Sequence, residues 1–158
     1  MAEAIGLTAS IIAILELSGK AIKYLQSVKD AQEDRKRLLN EVVNAASLLS
    51  LLKIRLETHQ DPQSGLGSPL ETLNLLMVED GPLYHFQSLL AHLVDKLQPD
   101  DAKGVKKLRE LLWPFKQAEY KEIIQCLERY KTCFLIAIQN DHLYDQSLTL
   151  TSALYGTP

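Results

Sequence analysis

The sequence predicts an all-α, single-domain helical bundle with about four principal helices and short helical inserts. Two long stretches, residues 31–59 and 116–142, contain no proline and repeat apolar residues mostly every three or four positions, on one face of a helix. Both stretches are longer than ordinary strands. Buried strands at residues 11–15 and 134–138 remain the alternative, because short apolar runs fit either structure.

The first two helices are predicted to be separated by a short charged turn. The first helix is expected at about residues 4–28 and the second at 31–59. The Asp30 side chain, which precedes the second helix, can accept a backbone hydrogen bond as its N-cap. The apolar face of the second helix consists of Leu38, Val42, Ala45, Leu49, Leu52 and Leu56.

Proline and glycine divide the middle of the chain. Residues 61–69 contain two prolines and two glycines, which predicts an exposed loop. Up to Pro114 the pattern then predicts, in order, a short helix at 70–78, a turn at 79–82, a helix at 83–97, a turn at 98–104 and a helical segment at 105–113.

The last principal helix is predicted over residues 116–142. After residue 145 apolar and polar residues alternate on a background of small side chains, which is more typical of a frayed connection than of a core element. We therefore expect a domain at residues 1–144, followed by a tail or a boundary to another module at 145–158.

The composition excludes several classes of protein. The chain has 158 residues, of which 46% are hydrophobic and 23% charged, and its net charge is −3. A nucleic-acid-binding domain usually carries a basic excess, so no nucleic-acid partner is expected. Cys126 and Cys133 are seven positions apart on one predicted helix, about 10.5 Å of axial rise. This is beyond disulfide distance and favours a reducing compartment.

The sequence contains no familiar catalytic motif. It lacks a glycine-rich loop followed by lysine, a Gly-x-Ser-x-Gly elbow and a His-Glu-x-x-His pair. We therefore expect a protein that is not an enzyme and binds no cofactor. A zinc set of His85, His92, Cys126 and Cys133 is the alternative, although zinc ligands usually form closer pairs. The polar run at 140–142 is expected to cap a helix end in solvent.

The N-terminal half of the first helix is apolar on nearly all sides. No charged residue occurs from Ala4 to Leu15, and the stripe predicted to face water is alanine in this half; it consists of Ala9, Ala13, Glu16, Lys20, Lys23 and Ser27. A helix that is apolar all round is either buried or in contact with lipid. At about 18 Å, the charge-free run is too short to cross roughly 30 Å of hydrocarbon by itself.

Two interpretations of this helix remain open. It is either the central helix of the bundle, surrounded by its neighbours, or a segment that leaves the bundle to engage lipid and other copies. Small residues at Gly6 and Ser10, and at Ala9 and Ala13, would let such copies approach closely. The predicted membrane or self-association residues are Ile5, Gly6, Leu7, Ala9, Ser10, Ile11, Ile12, Ala13, Ile14 and Leu15.

A second structural feature is the apolar corner of Trp113, Pro114 and Phe115. Proline disfavours helical geometry in the residue before it, so one helix is expected to stop here and the next to begin. We expect Trp113 to pack into the bundle, with a cost of about 3 to 5 kcal/mol when it is truncated to alanine.

Two separated blocks of sequence carry a family resemblance. The first runs from Ala4 to Leu17, continues at residues 24–31 and includes the basic residues 35–37. The second includes Leu112 to Phe115, residues 119–124 and 127–131, and ends at residues 137–142. Both blocks resemble the HeLo-like N-terminal effector domains that precede the NACHT module in fungal NOD-like receptor (STAND) proteins.

The resemblance implies a signalling domain in programmed cell death, such as heterokaryon incompatibility. It implies a helical bundle that is cytoplasmic at rest and whose hydrophobic first helix targets plasma-membrane lipid after receptor oligomerisation. The implied partners are other copies of the chain, membrane lipid and a NACHT module. A soluble adaptor that docks other proteins without a membrane step is the alternative function.

Overall fold

Four α-helices make up the described part of the chain, which comprises residues 2–59, 75, 76, 78–98 and 113–155 of a computed structural model. They are α1 (Ala2–Ser27), α2 (Gln32–His59), α3 (Pro82–Leu97) and α4 (Gln117–Tyr155). The described residues contain no β-strand. The predicted all-α bundle is therefore confirmed, and the strand alternative at residues 11–15 and 134–138 is wrong.

The helices surround one apolar core in the order α1, α2, α4, α3. Helix α1 packs against α2 and α3, and α4 also packs against α2 and α3. Helices α2 and α4 run parallel, because Arg37 lies 3.5 Å from Glu128 near the start of both helices and Glu41 pairs with Lys131 further along both.

Helix α3 runs antiparallel to α4. His92, late in α3, contacts Glu119 at the start of α4, whereas Phe86, early in α3, stacks against Phe134 further along α4. Phe86 is fully buried, and its ring centroid lies 5.4 Å from that of Phe134 and 5.6 Å from that of Tyr130. Edge-to-face rings at these separations attract each other in addition to excluding water.

The apolar positions predicted for the two long helices form most of the core. All six positions predicted for α2 are at least 98% buried. In α4 the apolar positions predicted from helical spacing are Tyr120, Ile123, Ile124, Leu127, Tyr130, Phe134 and Ile138. Five of them, Tyr120, Ile123, Ile124, Leu127 and Phe134, are buried, and Ala137 is buried with them. Tyr130 and Ile138 are half-buried against this core. Periodicity therefore identified the inward face of both helices.

The turn between α1 and α2 differs from its prediction by one residue. Helix α2 begins after Ala31, whose carbonyl accepts the first helical hydrogen bond from the Arg35 N–H at 2.8 Å. Ala31 has a φ of 49°. The Asp30 carboxylate accepts a hydrogen bond from the Trp113 backbone N–H at 2.8 Å, so the prediction that it caps α2 is wrong. The Arg35 guanidinium also donates to the Val28 carbonyl.

Replacing Ala31 by glycine is expected to stabilise the protein by about 1 kcal/mol. The left-handed conformation costs an alanine roughly 1–2 kcal/mol, and glycine adopts it without a Cβ clash. Ala91→Gly is the matched control, because it lies exposed inside α3, where glycine costs about 1 kcal/mol. Urea denaturation should shift the two midpoints in opposite directions. A lower urea midpoint for Ala31→Gly than for the unmodified chain would mean that the left-handed conformation of Ala31 is not strained.

The predicted end of α4 at residue 142 is wrong, because the helix continues to Tyr155. Between residues 143 and 155 no proline or glycine interrupts it, and its serines and threonines are compatible with helix. The described side chains of residues 146, 147, 150 and 153 are exposed, in agreement with a segment outside the core. The domain boundary at 144 stays a prediction.

The predicted elements in the middle of the chain fall partly outside the described residues. The loop at 61–69 and most of the segment at 98–112 lie outside them, and the described end of the predicted helix at 70–78 is turn. Gly81 forms the predicted turn before α3. A Cβ there would lie 2.6 Å from the Val78 carbonyl oxygen, so only glycine fits. Trp113 is not helical.

Candidate functional site

Helix α1 buries one face rather than its whole circumference. Its buried residues recur every three or four positions: Leu7, Ile11, Ile14, Ser18, Ala21 and Leu25. On the opposite side Ala9, Glu16, Lys20 and Lys23 are exposed, and Ala13 is half-buried. The stripe predicted to face water is therefore confirmed. Among the described helices, α2 and α3 make the main contacts with α1, and the exposed stripe shows that these two do not surround it.

The remaining predicted site residues lie between these two faces. Ile12 is 41% exposed, and Gly6, Ser10 and Leu15 are half-buried. Ile5 belongs to α1, but its side chain lies outside the described part of the structure. Ile12 and Ala9 are three positions apart and so form adjoining apolar surface, which lies within the charge-free run between Glu3 and Glu16.

A polar contact holds the chain directly after α1. There the Arg35 guanidinium holds the Val28 carbonyl. Along the described side chains of α1, residues 6–27, none of Glu16, Lys20 and Lys23 forms an ion pair. The buried Ser18 hydroxyl donates to the Ile14 carbonyl of the same helix at 2.9 Å. In the N-terminal half, Leu7, Ile11 and Ile14 are buried against the core.

The apolar corner of Trp113, Pro114 and Phe115 lies just before α4. It is joined to the turn after α1 by the hydrogen bond from the Trp113 N–H to the Asp30 carboxylate. Phe115 is buried, and Trp113 is half-buried against the core with its ring 5.1 Å from that of Phe115 and 5.7 Å from that of Tyr120. The expectation that Trp113 packs into the bundle is confirmed. Burial raises the pKa of Tyr120, and the nearby negative charge of Asp34 raises it further.

A shallow pocket of about 260 Å³ lies between α1 and the start of α3. It is lined by Ser10, Ile14, Val78, Glu79, Asp80, Leu83, Tyr84 and Gln87. Sequence reasoning did not single out Val78 and Tyr84, which are apolar and more than half exposed. The lining combines the hydroxyl groups of Ser10 and Tyr84 with the carboxylates of Glu79 and Asp80.

The residues of the zinc alternative are not arranged as a metal site. Within the described residues no three His, Cys, Asp or Glu side chains are grouped to hold a metal ion. His92 instead lies 3.1 Å from the Glu119 carboxylate, which also pairs with Lys96 at 3.3 Å. The hydrogen bond with His92 is the main reason that the pKa of Glu119 lies below its usual value. His85 stacks edge-on against its neighbour Tyr84.

The distal part of α4 carries exposed apolar residues that sequence reasoning also missed. Ile136 is 49% exposed, Leu143 63% and Leu150 64%. Their seven-residue spacing was the available signal, but the predicted helix end at 142 concealed it. Asn140 and His142 are exposed as expected, although they lie inside the helix rather than at its end.

Neither the described helices nor comparison with known proteins assigns a function to the chain. None of the helices, over the residues that the structure describes, combines the length and apolar character needed to cross a membrane. No family model, curated protein or solved structure matches the sequence. A proposal about function therefore rests on the exposed residues of the bundle.

Proposed function

We propose that this chain is a non-enzymatic effector domain that self-associates and engages membrane lipid through the N-terminal half of α1. The observation that carries the proposal is the exposure of Ala9 and Ile12 within the charge-free run from Ala4 to Leu15. The resemblance to HeLo-like domains of fungal NOD-like receptors supports the same reading. In that setting the domain induces programmed cell death at the plasma membrane and rests in the cytoplasm.

The attachment of α1 supports partial release of this helix. Leaving the bundle would expose Leu7, Ile11 and Ile14, at about 1.5–3 kcal/mol for each side chain in water. Lipid removes this cost, because hydrocarbon accepts the same side chains and also covers Ile12. The contact of Arg35 with Val28 would retain the C-terminal end of α1 as a hinge.

The length of the apolar run limits how a single copy can bind. The run from 4 to 15 is twelve residues, about 18 Å, and cannot cross the hydrocarbon alone. A single copy can place only this charge-free half in the hydrocarbon of one leaflet, with the charged residues that follow at the level of the lipid headgroups. Glu16, Lys20 and Lys23 begin at the boundary that this arrangement requires. Deeper insertion needs several copies.

Ala9→Lys is expected to reduce binding to liposomes at least tenfold, whereas Lys23→Glu should change it much less. A lysine in the centre of a membrane helix costs about 2.5–3.5 kcal/mol. Both positions are exposed on α1, so neither substitution removes core packing. Flotation with vesicles of phosphatidylcholine and phosphatidylserine measures binding, and circular dichroism confirms that both variants fold. A cell-death assay in fungal cells should follow the same order.

If folded Ala9→Lys floats and kills like the unmodified chain, the membrane proposal fails. The adaptor alternative then gains support from α2, where Val43, Leu51 and Ile54 are exposed apolar residues. Such surface on a soluble domain is typical of contacts with other proteins. Equal loss of binding in both folded variants would also contradict insertion of the apolar half, because only Ala9 lies in that half.

A further inference from the structure

The turn between α1 and α2 contains no residue that would end a helix. It consists of four residues, Val28 to Ala31, and neither glycine nor proline occurs between residue 20 and residue 61. Lysine and alanine, which occupy two of the four positions, are among the strongest helix formers. Helices are commonly ended by glycine in the left-handed conformation or by a following proline. The local sequence therefore does not explain why α1 and α2 are separate helices.

Strain and contacts with other residues define this turn instead. Ala31 has a φ of 49°, in the left-handed region, which alanine disfavours about tenfold relative to helical geometry. The Asp30 carboxylate accepts a hydrogen bond from the Trp113 N–H at 2.8 Å, and the Arg35 guanidinium donates to the Val28 carbonyl. Because Asp30 is exposed, water can replace the Trp113 N–H at little cost. The turn is therefore a strained conformation held by a contact that can open.

We propose that this turn is a conformational switch, which becomes helical when α1 leaves the bundle and so joins α1 and α2 into one continuous helix. Relaxation of Ala31 to helical geometry removes its strain. The backbone groups that two adjoining helix ends leave unpaired then bond within one helix. The Val28 carbonyl, which accepts from Arg35, has a second lone pair for the Gln32 N–H. This inference rests on the proposed function for the event that releases α1.

The conversion carries the apolar half of α1 away from the bundle. Ala9 lies 22 positions before Ala31, so a continuous helix places it about 33 Å beyond the turn along the axis of α2. In the closed form α1 instead folds back and packs on α2. Opening uncovers Ala21, Leu25 and Val28 in addition to the residues that enter lipid. The extended form is therefore rare in water, and lipid must bind it more tightly to shift the population.

A distance between spin labels at Lys20→Cys and Asn40→Cys distinguishes the two forms. Both positions are exposed, and they are about 30 Å apart along a continuous helix but within about 15 Å on two packed antiparallel helices. Alanine replaces Cys126 and Cys133 in this background, so that only the introduced cysteines are labelled. Pulsed electron paramagnetic resonance is measured in buffer, with vesicles of phosphatidylcholine and phosphatidylserine, and with dodecyl maltoside micelles. We expect the short distance in buffer and a narrow long-distance population in the other two conditions.

A second label pair controls for unfolding. Asn40→Cys/Gln125→Cys, at exposed positions of α2 and α4, should keep its distance in all three conditions, because neither helix leaves the bundle. Lengthening in both label pairs would mean that the chain unfolds, which overturns the proposal. A distance between α1 and α2 that stays short with vesicles and with micelles overturns it as well.

Flotation separates the failure of this inference from the failure of the proposed function. If the chain floats with vesicles but keeps the short distance between α1 and α2, the switch is wrong and the membrane proposal stands. Micelles supply an apolar phase without a bilayer. If they produce the long distance while vesicles neither float nor extend the chain, the switch stands and the membrane proposal fails.

Two substitutions in the turn should shift the ratio of extended to closed chain in opposite directions. Asp30→Ala removes the acceptor for Trp113 and should raise this ratio about fivefold, whereas Ala31→Gly relieves the strain of the closed turn and should lower it about tenfold. Asp30→Asn retains an acceptor oxygen and should change the ratio much less.

Ala91→Gly is the matched control for these substitutions, because α3 stays in the bundle in both forms and its destabilisation favours neither. All variants are compared at the vesicle concentration that extends half of the unmodified chain. Shifts in the same direction for Asp30→Ala and Ala31→Gly overturn the proposal, and so does an equal shift for Ala91→Gly.

Discussion

Phe86→Ala is expected to lower the free energy of unfolding by about 4 kcal/mol. Phe86 is fully buried and contacts two further aromatic rings, those of Phe134 and Tyr130. Its truncation removes the transfer free energy of the ring and leaves a cavity where α3 meets α4, and such changes cost about 3–5 kcal/mol. Urea denaturation at 25 °C, with the slope compared between variants, measures the change.

Tyr84→Ala on the same helix is the matched control, because the Tyr84 ring is 56% exposed. Its effect should stay within about 1 kcal/mol, as is usual for residues outside the core. Comparable losses in the two variants would mean that α3 does not bury the face described above. A loss below about 1.5 kcal/mol for Phe86→Ala would contradict its central place in the core.

Trp113→Ala is expected to cost about 3 kcal/mol, the lower end of the range for large aromatic residues, because Trp113 is only half-buried. The substitution removes the stacking on Phe115 and Tyr120 but keeps the backbone N–H that donates to Asp30. The loss therefore measures side-chain packing alone. Thermal and urea denaturation should agree on it.

Two further variants separate the contributions at this corner. Trp113→Phe retains an aromatic ring and should recover at least half of the loss. Asp30→Ala removes the acceptor for the Trp113 N–H and should cost about 1 kcal/mol, as an exposed hydrogen bond does. Unchanged stability in Trp113→Ala, with solvent-exposed tryptophan fluorescence in the unmodified chain, would instead make Trp113 a surface anchor for a partner.

The sequence by itself determined the helical class and the inward faces of the long helices. In α2 the spacing of its six apolar positions predicted all the residues that are buried in the core. Spacing suffices there because a helix places residues three and four positions apart on one side, whichever neighbour covers them. The same reasoning identified the polar stripe of α1 from Lys20 and Lys23.

The boundaries depended on contacts that spacing does not contain. Asp30 looked like an N-cap, but a hydrogen bond with Trp113, 83 positions away, and the left-handed turn at Ala31 move the helix start by one residue. Apolar and polar residues alternate after residue 145, which predicted a tail there and an end of α4 at 142. No proline or glycine follows before Gly156, and local composition did not reveal that the helix continues.

Only the tertiary structure decided which apolar residues remain exposed. In α1 the sequence shows Ile11, Ile12 and Ile14 as equivalent apolar side chains, yet Ile12 is exposed and the other two are buried. The same holds in α4, where Phe134 is buried and Leu143 is 63% exposed. Exposure is a property of the neighbours that pack on a face, and these neighbours come from distant parts of the chain. The local pattern of a helix therefore specifies its faces, whereas the packing of the four helices decides which apolar surface stays exposed.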